Sequence, residues 1–535
     1  MTRGTTPNEA WGTRIGLILA MAGNAVGLGN FLRFPVQATS NGGGSFMITY
    51  FIALLLLGIP LMWIEWGVGR NGGRFRKGHV PGMFAAIWRH PAAKYVGVLG
   101  MVIPILVMIY YTYIESWTLA FTWFSLTGDY WGNTSQEAMV GYLQSFQGVG
   151  DPAAAVHAPW TPYAFFLVTL AINIWVISKG IAGGIERLAR IGMPILFLFA
   201  IVLAIVVLFL PAGPDGSTAW DGLNFIYHPD FSRIDEPGVW LASAGQIFFT
   251  LSVGMGSLQA YASYLSTRDD IALNGIATAA TNETAEVVLG GSIAIPAAVV
   301  FFGVTGAVAI ANAGAFNLAF AAMPVVFQGL PLGQVLGAMW FGLLFFAGIT
   351  SSVSMLTPVA AFFREEFGLR RERVCYGLGI LVLIFGVMHI VLLEHGVLDE
   401  WDFWAGTLGL VVLATIETIL FVWVFKPENA WRSLHQGADI RIPRVFKFIM
   451  TYVTPLYLIA VLLAWGIQDG LPRLFMDGVP EESTPFVLLS RLVIVAFIVI
   501  FLVLIRLAWK RNKYDDRAGF VPVEDRVLGS REGTS

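Results

Sequence analysis

The sequence predicts an all-α integral membrane protein with twelve transmembrane helices, of which helices 1 and 6 are broken. Hydrophobic residues make up 56% of the 535-residue chain and charged residues 13%, a balance that excludes a soluble globular protein. Apolar runs near 20 residues are typical of membrane-spanning helices, whereas β-barrel strands are shorter and alternate. The first run is too long, and too closely followed by others, to be a cleaved signal peptide.

A polar, glycine-rich segment interrupts the first apolar run, where residues 23–30 read GNAVGLGN. In hydrocarbon an unpaired N–H or C=O costs several kcal/mol, so a helix unwinds only where protein, ion or ligand satisfies the freed groups. Glycine makes such unwinding less costly. The alternative is that Gly23 and Gly27 form a close-packing face for a neighbouring helix, and this segment alone supports both interpretations equally.

A second interruption favours the binding interpretation. Residues 253–257 read VGMGS, the counterpart of VGLGN at residues 26–30, and they also break an apolar run. Two glycine-broken helices in corresponding positions of two halves indicate a transporter with internal repeats and a binding site near the bilayer midplane.

The apolar runs define the predicted spans, with boundaries uncertain by several residues. They cover residues 13–38, 43–69, 95–126, 161–180, 184–211, 239–264, 272–305, 335–366, 374–394, 401–425, 447–468 and 486–509.

Lys and Arg collect in alternate connections between these spans, which sets the expected orientation. Residues 70–77 contain four of them, whereas residues 127–160 contain none. The positive-inside rule therefore predicts a multi-pass protein with both termini in the cytoplasm. We expect its membrane to be the inner (plasma) membrane. The uncharged residues 306–334 are predicted to form a folded outer lid.

Polar side chains inside spans are candidate functional groups. A hard cation such as sodium needs several oxygen ligands, by analogy with other hard cations. Candidate ligands are the carbonyls of Gly23, Ala25 and Val26, the amides of Asn30 and Asn282, and the hydroxyls of Thr250, Thr350 and Ser351. The alternative for residues 350–352 is that their hydroxyls bond back to their own helix. Free N–H groups at the broken ends would suit a carboxylate, and Tyr110 or Tyr111 could add a hydroxyl.

Charged residues within the spans give two further expectations. Arg33 and Asp402 both lie toward the predicted outer side, and we expect them to pair as an outer gate, although a static ion pair is the alternative. Glu65, Glu115, Glu283 and Glu286 also lie in spans. Some of them are expected to accept N–H groups of the unwound backbone.

Several classes of function are excluded or disfavoured. There is no Walker-type motif and no soluble domain large enough for a nucleotide, so pumping by ATP hydrolysis is not expected. The single Cys375 allows no internal disulfide. No nucleophile, metal-ligand or cofactor constellation indicates an enzyme, and no nucleic-acid partner is expected.

Four motifs resemble the neurotransmitter:sodium symporter family, which includes the bacterial leucine transporter, and the resemblance covers nearly the whole chain. They are LILAMAGNAVGLGNFLRFP at residues 17–35, YIESW at 113–117, GQIFFTLS at 245–252 and DFWAG at 402–406. The resemblance implies two inverted five-helix repeats, at residues 13–211 and 239–425. Residues 447–509 then hold two peripheral spans, between a cytoplasmic segment at 1–12 and a cytoplasmic tail at 510–535.

The resemblance also implies binding sites for two sodium ions and an amino acid. The first sodium would be held by Ala25, Asn30, Thr250, Asn282 and the substrate carboxylate, and the second by Gly23, Val26, Ala347, Thr350 and Ser351. The substrate would contact Asn24, Ala25, Gly27, Leu28, Gly29, Val107, Tyr111, Phe249, Thr250, Ser252, Met255, Ser351 and Met355, with Tyr111 and Phe249 closing over it beneath Arg33 and Asp402.

Particular residues refine the expected specificity. Relatives that carry amines have an aspartate at the position of Gly27, so this chain leaves room for a substrate carboxylate. Glu286 stands where chloride-dependent relatives have a small hydroxyl residue, which predicts chloride independence. Met255 and Met355 replace bulkier pocket residues, and methionine adapts to varied shapes. An apolar or aromatic α-amino acid is therefore expected.

The inner gate departs from the family pattern. Trp11, Ser263 and Tyr264 match it, whereas Glu365 replaces an aspartate, Thr357 replaces a glutamine and Asn8 replaces an arginine. The inner closure is therefore expected to be weaker than in relatives.

The sequence thus predicts sodium-coupled amino-acid uptake by alternating access across the lipid bilayer. The alternatives are a non-transporting amino-acid sensor with the same binding site and, more remotely, an ion channel. The sequence leaves open which amino acid binds, the ion stoichiometry, proton counter-transport and whether the protein is a homodimer.

Overall fold

The computed structural model describes residues 11–150 and 156–522, which form helices and connecting loops without a β-strand in those ranges. The principal helices are α1 (Arg14–Ala25), α2 (Leu28–Phe31), α3 (Arg33–Ser40), α4 (Gly44–Gly73), α5 (Val80–Ile87), α6 (Ala93–Thr127), α7 (Gln136–Gln147), α8 (Thr161–Ser178), α9 (Ile181–Leu208), α10 (Ala219–Tyr227), α11 (Pro237–Thr250), α12 (Ser257–Ala262), α13 (Ile271–Asn312), α14 (Ala315–Gln328), α15 (Gly333–Phe367), α16 (Arg371–Val391), α17 (Val397–Val424), α18 (Pro427–His435), α19 (Arg444–Leu474) and α20 (Thr484–Asn512).

Both predicted helix breaks are confirmed. The first apolar run is helical to Ala25, extended at Val26 and Gly27, and helical again from Leu28. The sixth run ends its first helix at Thr250 and resumes at Ser257. Between these points three residues adopt positive φ: Ser252 at 52°, Gly254 at 76° and Gly256 at 84°. An α-helix cannot continue through such a conformation.

Ten helices in the described ranges are long and apolar enough to cross a membrane. They correspond to the predicted spans other than the two broken ones, and most of their boundaries fall within a few residues of the prediction. The larger differences are at α13 and α19, which extend to Asn312 and Leu474 rather than ending at residues 305 and 468. The count of twelve spans, the inverted repeats and the division of the chain between them stay predictions.

The helix α15 organises the interior, because it packs along both α6 and α9. Buried polar side chains join it to two other helices: Ser352 of α15 donates to the Asn173 side-chain oxygen at 2.7 Å, and Asn173 of α8 donates to Glu115 of α6 at 3.1 Å. Each buried polar group thereby has a partner, which lowers the cost of placing it among apolar helices.

The predicted outer lid contains the helix α14 in its middle. The ring of Phe320 lies 5.0 Å from the ring of Phe121 on α6 and 5.4 Å from that of Phe341 on α15. The Trp340 indole donates to the Ala319 carbonyl at 3.3 Å. This segment is therefore folded against the helix bundle, as its apolar composition predicts.

Candidate functional site

The break between α1 and α2 exposes backbone groups that side chains then satisfy. The Gly27 N–H donates to the side-chain oxygen of Asn30 at 2.8 Å, and the Leu28 N–H donates to the Tyr111 hydroxyl at 3.0 Å. The Asn24 carbonyl accepts from Ser252 at 2.8 Å and from Ser351 at 3.2 Å. The two breaks and α15 therefore meet at one buried point.

The second break is held by a carboxylate from another helix. Glu65 of α4 accepts the N–H of Gly254. A side chain at Gly254 would be impossible without movement, because its Cβ would lie 2.1 Å from the Leu410 carbonyl oxygen. For Glu65 the structure confirms the expectation that intramembrane glutamates satisfy the freed backbone.

The residues expected at the first sodium site converge on one small volume. The side-chain oxygen of Asn282 lies 3.1 Å from the Thr250 carbonyl oxygen and 3.3 Å from that of Ala25. The Asn30 amide donates to this Asn282 oxygen at 2.8 Å, but neither carbonyl can donate to it, so the contacts with the two carbonyls are repulsive unless a further donor or a cation intervenes. Two arrangements supply one: the Asn282 amide can turn so that its N–H groups face the carbonyls, or a cation can lie between the oxygens.

The Glu286 carboxylate lies directly beside these oxygens on a π-helical turn of α13, Thr284–Gly290, and is fully buried. It accepts from Asn30 at 2.9 Å, from Gln246 at 3.0 Å and from the Tyr50 hydroxyl at 3.0 Å, and Thr250 also donates to it. Four donors thus surround one buried negative charge, and that charge is the Glu286 carboxylate itself.

A second carboxylate shares one of these donors. Glu283 lies 2.9 Å from the Tyr50 hydroxyl, which is also 3.0 Å from Glu286. A phenol has a single hydrogen to donate. The two carboxyl groups therefore compete for, or share, this one hydrogen.

The residues expected at the second sodium site lie where α1 meets α15. A Cβ on Gly23 would fall 3.1 Å from the Thr350 Cβ, so the two helices touch there. The Thr350 hydroxyl bonds back to the Phe346 carbonyl at 2.8 Å, as the alternative interpretation predicted. Ser351 instead bonds across to Asn24, which that alternative did not predict. Val26 and Ala347 are fully buried nearby in these helices.

The residues expected to bind the substrate are mostly buried around the first break. A Cβ on Gly27 would lie 3.0 Å from the Tyr111 hydroxyl and 3.4 Å from that of Ser351. A Cβ on Gly29 would lie 2.4 Å from the Phe249 ring, so this ring packs directly on the backbone. Leu28, Val107, Met255 and Met355 are all buried.

The expected ion pair at the outer side is not formed directly in the described part of the chain. Asp402 accepts from the Tyr110 hydroxyl at 2.7 Å, and the Arg33 guanidinium lies over the Phe249 ring, 4.8 Å from its centroid. The aromatic face satisfies the cation, and the phenol satisfies the carboxylate. Arg33 and Asp402 therefore do not contact each other in this conformation, and their pairing as an outer gate stays a prediction.

The inner gate residues are closely packed. The Trp11 indole donates to the Tyr261 carbonyl at 3.3 Å, and the two rings meet edge to face at 5.3 Å. Ser263 and Tyr264 are buried. Glu365 accepts the Gly78 N–H with both oxygens, at 2.9 and 3.0 Å. Asn8 lies outside the described residues.

Sequence reasoning missed some groups in this region. Tyr50 and Gln246 complete the shell of Glu286. Glu417 of α17 is fully buried and accepts from Gln259 of α12. The sequence did contain a signal for Glu417, because it is an acidic residue inside an apolar run.

Comparison with known proteins agrees with this architecture. A model of the sodium:neurotransmitter symporter family matches residues 8–142 and 136–509. An uncharacterized sodium-dependent transporter of Methanocaldococcus jannaschii is 29% identical over 502 residues, covering 92% of this chain and 96% of the relative. The human sodium- and chloride-dependent GABA transporter 2 is 25% identical, covering 84% of this chain and 79% of the relative.

A solved structure is also similar. The crystal structure of MhsT in complex with L-phenylalanine superposes with a TM-score of 0.73 at 29% sequence identity, covering 85% of this chain and 99% of that one. The matching family consists of transporters rather than enzymes. Since the family match extends over most of the chain and includes both helix breaks, this protein belongs to the sodium:neurotransmitter symporter family.

Proposed function

We propose that this protein is a symporter that uses two sodium ions to import an apolar or aromatic α-amino acid by alternating access, without chloride. It would lie in the inner (plasma) membrane with both termini in the cytoplasm. The observation that carries the proposal is that the Ala25 and Thr250 carbonyls and the side chains of Asn30, Thr250 and Asn282 meet beside the buried Glu286 carboxylate. Several oxygen groups beside a buried carboxylate form a suitable set of ligands and charge for a hard cation at that point.

A sodium ion at this point would connect several moving parts. Ala25 ends α1, Asn30 lies in α2, Thr250 ends α11 and Asn282 lies in α13. One ion therefore joins both broken helices to a third. The second ion would lie between Gly23 and Val26 of the first broken helix and Ala347, Thr350 and Ser351 of α15.

The glycine at position 27 supports a carboxylate-bearing substrate, because the chain places no carboxylate of its own at this point of the break. The hydroxyls of Tyr111 and Ser351 lie 3.0 and 3.4 Å from the position that a side chain would occupy there. A substrate carboxylate between these hydroxyls could also complete the first sodium site, which would couple substrate binding to ion binding directly. The MhsT complex with L-phenylalanine supports an amino-acid substrate, and Met255 and Met355 suit an apolar or aromatic side chain.

The first test is ion-coupled uptake. Proteoliposomes with an inward sodium gradient are expected to accumulate labelled L-phenylalanine or L-leucine above the external concentration. Replacing external sodium with choline or potassium should reduce uptake to the level of empty liposomes, because the oxygens of the cation site would be left unsatisfied. Uptake that persists without sodium would contradict the coupling. Sodium-dependent binding without accumulation would instead indicate a sensor.

The second test concerns chloride. In Glu286→Ser the four donors around the carboxylate lose their built-in anion; they are Tyr50, Gln246, Asn30 and Thr250. A sodium ion bound beside them would then lack a compensating negative charge, which is costly for a buried ion. Uptake in chloride-free gluconate buffer should therefore fall by about tenfold or more. Added chloride should restore a large part of it. Wild-type uptake is expected to be the same in chloride and gluconate.

Glu394→Ser is the matched control, because Glu394 lies outside this cluster and accepts from the Gly150 N–H at an exposed position. Its uptake should not respond to chloride. Equal chloride independence of Glu286→Ser and the wild type would show that the carboxylate does not replace an anion.

A further inference from the structure

A large cavity lies at the basic end of the membrane helices, away from the candidate transport site. It has a volume of about 1100 Å³ between the end of α4, the end of α17, the helix α18 and the start of α19. Its charged lining residues are Arg74, Glu428, Arg432, Arg441, Arg444 and Lys447. Its volume is at the upper end of the range for small-molecule sites.

The charges of this basic cavity are unbalanced. Lys447 lies 3.3 Å from Glu428, and both groups are partly exposed. Within the part of the chain that the structure describes, the arginines at 74, 432, 441 and 444 form no ion pair within 4.0 Å. Five cations and one carboxylate around a shared space attract anions.

The cavity wall is fixed rather than a flexible loop. The buried guanidinium of Arg70 donates to the carbonyls of Asp269 at 2.9 Å and Gln436 at 2.8 Å, and also to that of Ser433. These bonds tie the end of α18 to α4. The Asp439 N–H donates to Asp270 at 2.7 Å, which fixes the loop that follows α18.

An exposed apolar surface adjoins the basic cavity. Val445, Phe448 and Tyr452 near the start of α19 are 58%, 59% and 55% exposed, and Arg444 and Lys447 are interleaved with them. Because α19 is long and apolar enough to cross a membrane, these side chains would contact acyl chains close to the headgroup layer. The basic cavity thus suits the anionic headgroup of a lipid, and the apolar surface suits its acyl chains.

We propose that the basic cavity binds the headgroup of an anionic phospholipid from the adjoining leaflet, with its acyl chains against Val445 and Phe448. Four of the five cations are arginines, whose planar donors match two oxygens of one phosphate. Juxtamembrane clusters of basic residues recognise anionic lipids by the same attraction. A free phosphate or phosphate ester carries the same anionic group but has no acyl chains to bind the apolar surface.

The test compares lipid with its soluble headgroup. The purified full-length protein is stripped of lipid in a neutral detergent and titrated with dioleoyl phosphatidylglycerol, dioleoyl phosphatidylcholine, glycerol 3-phosphate or inorganic phosphate, and bound ligand is counted by native mass spectrometry. Phosphatidylglycerol is expected to bind at least about tenfold more tightly than any other ligand, and its affinity should fall with added salt.

Variants locate the site. Arg432→Gln combined with Arg444→Gln should weaken phosphatidylglycerol binding by about 30-fold, since each basic side chain near an anionic lipid contributes a factor of about five. Arg432→Lys combined with Arg444→Lys should retain most of the binding. The matched control is Arg370→Gln combined with Arg373→Gln, which removes the same charge from exposed positions elsewhere on the chain and should leave binding unchanged.

A measurement without substitutions keeps the proposal testable if a variant unfolds. A photoreactive phosphatidylglycerol should label peptides within residues 428–452 of the wild type. Glycerol 3-phosphate or phosphate binding as tightly as the lipid would show a site for soluble anions and overturn the proposal. The proposal would also be overturned if Arg370→Gln combined with Arg373→Gln weakened phosphatidylglycerol binding equally, or if the photoreactive lipid labelled only other segments.

Discussion

Replacing Asn30 with alanine is expected to weaken sodium-dependent uptake severely. The Asn30 side chain accepts the Gly27 N–H and donates toward Thr250, Asn282 and Glu286 at 2.8 to 3.0 Å. Its removal leaves a buried N–H and part of a carboxylate unsatisfied, at roughly 1–3 kcal/mol each. In the proposed mechanism it also removes a sodium ligand. The sodium concentration for half-maximal uptake should rise by about 100-fold or more.

The matched control is Asn41→Ala, because Asn41 follows the same broken run but bonds only with Gln37, one turn earlier. Sodium titrations of labelled L-phenylalanine uptake in proteoliposomes should show little change for this variant. Melting temperatures of both variants in detergent separate loss of ion binding from loss of folding. A sodium dependence of Asn30→Ala equal to that of the wild type would exclude Asn30 as a ligand.

Replacing Gly254 with alanine is expected to destabilise the protein strongly. Gly254 has φ of +76°, which disfavours any side chain, and a Cβ there would lie 2.1 Å from the backbone oxygen of Leu410. Backbone strain and steric overlap together cost at least about 3 kcal/mol. The shift would also displace the N–H that Glu65 accepts. We expect a lower yield of monodisperse protein and a melting temperature lowered by about 3 °C or more.

Gly377→Ala provides the control for a glycine in a membrane helix. Gly377 lies within α16, and a Cβ there would meet no atom within 4 Å. Alanine at this position should stabilise the helix by about 0.5–1 kcal/mol. If Gly254→Ala were as stable as Gly377→Ala, residues 251–256 could not have the backbone path described above.

The two breaks are interdependent in this fold. The hydroxyl of Ser252 in the second break donates to the Asn24 carbonyl beside the first, and Thr250 and Asn30 bond to each other and to Glu286. Neither unwound segment satisfies all of its freed backbone groups with partners from its own broken helix. This mutual dependence supplies a physical basis for the proposed binding of ion and substrate at one position, because a ligand there would contact both segments at once.

The sequence by itself determined the membrane class, the positions of most spans and both helix breaks. These features depend on local properties: the length of apolar runs, and glycines that lower the cost of leaving the helical conformation. The sequence also indicated Glu65 and Glu286, since a carboxylate is costly in an apolar run and therefore needs a partner.

Only the tertiary structure decided which partners these groups have. Glu65 bonds to Gly254, Glu286 gathers donors from α2, α4 and α11, and Arg33 lies over Phe249 while Asp402 bonds to Tyr110. The lining of the basic cavity likewise comes from residues 74 and 425–447, which lie far apart along the chain. Such contacts join distant segments and depend on how helices pack, so neither local hydropathy nor backbone preference could specify them.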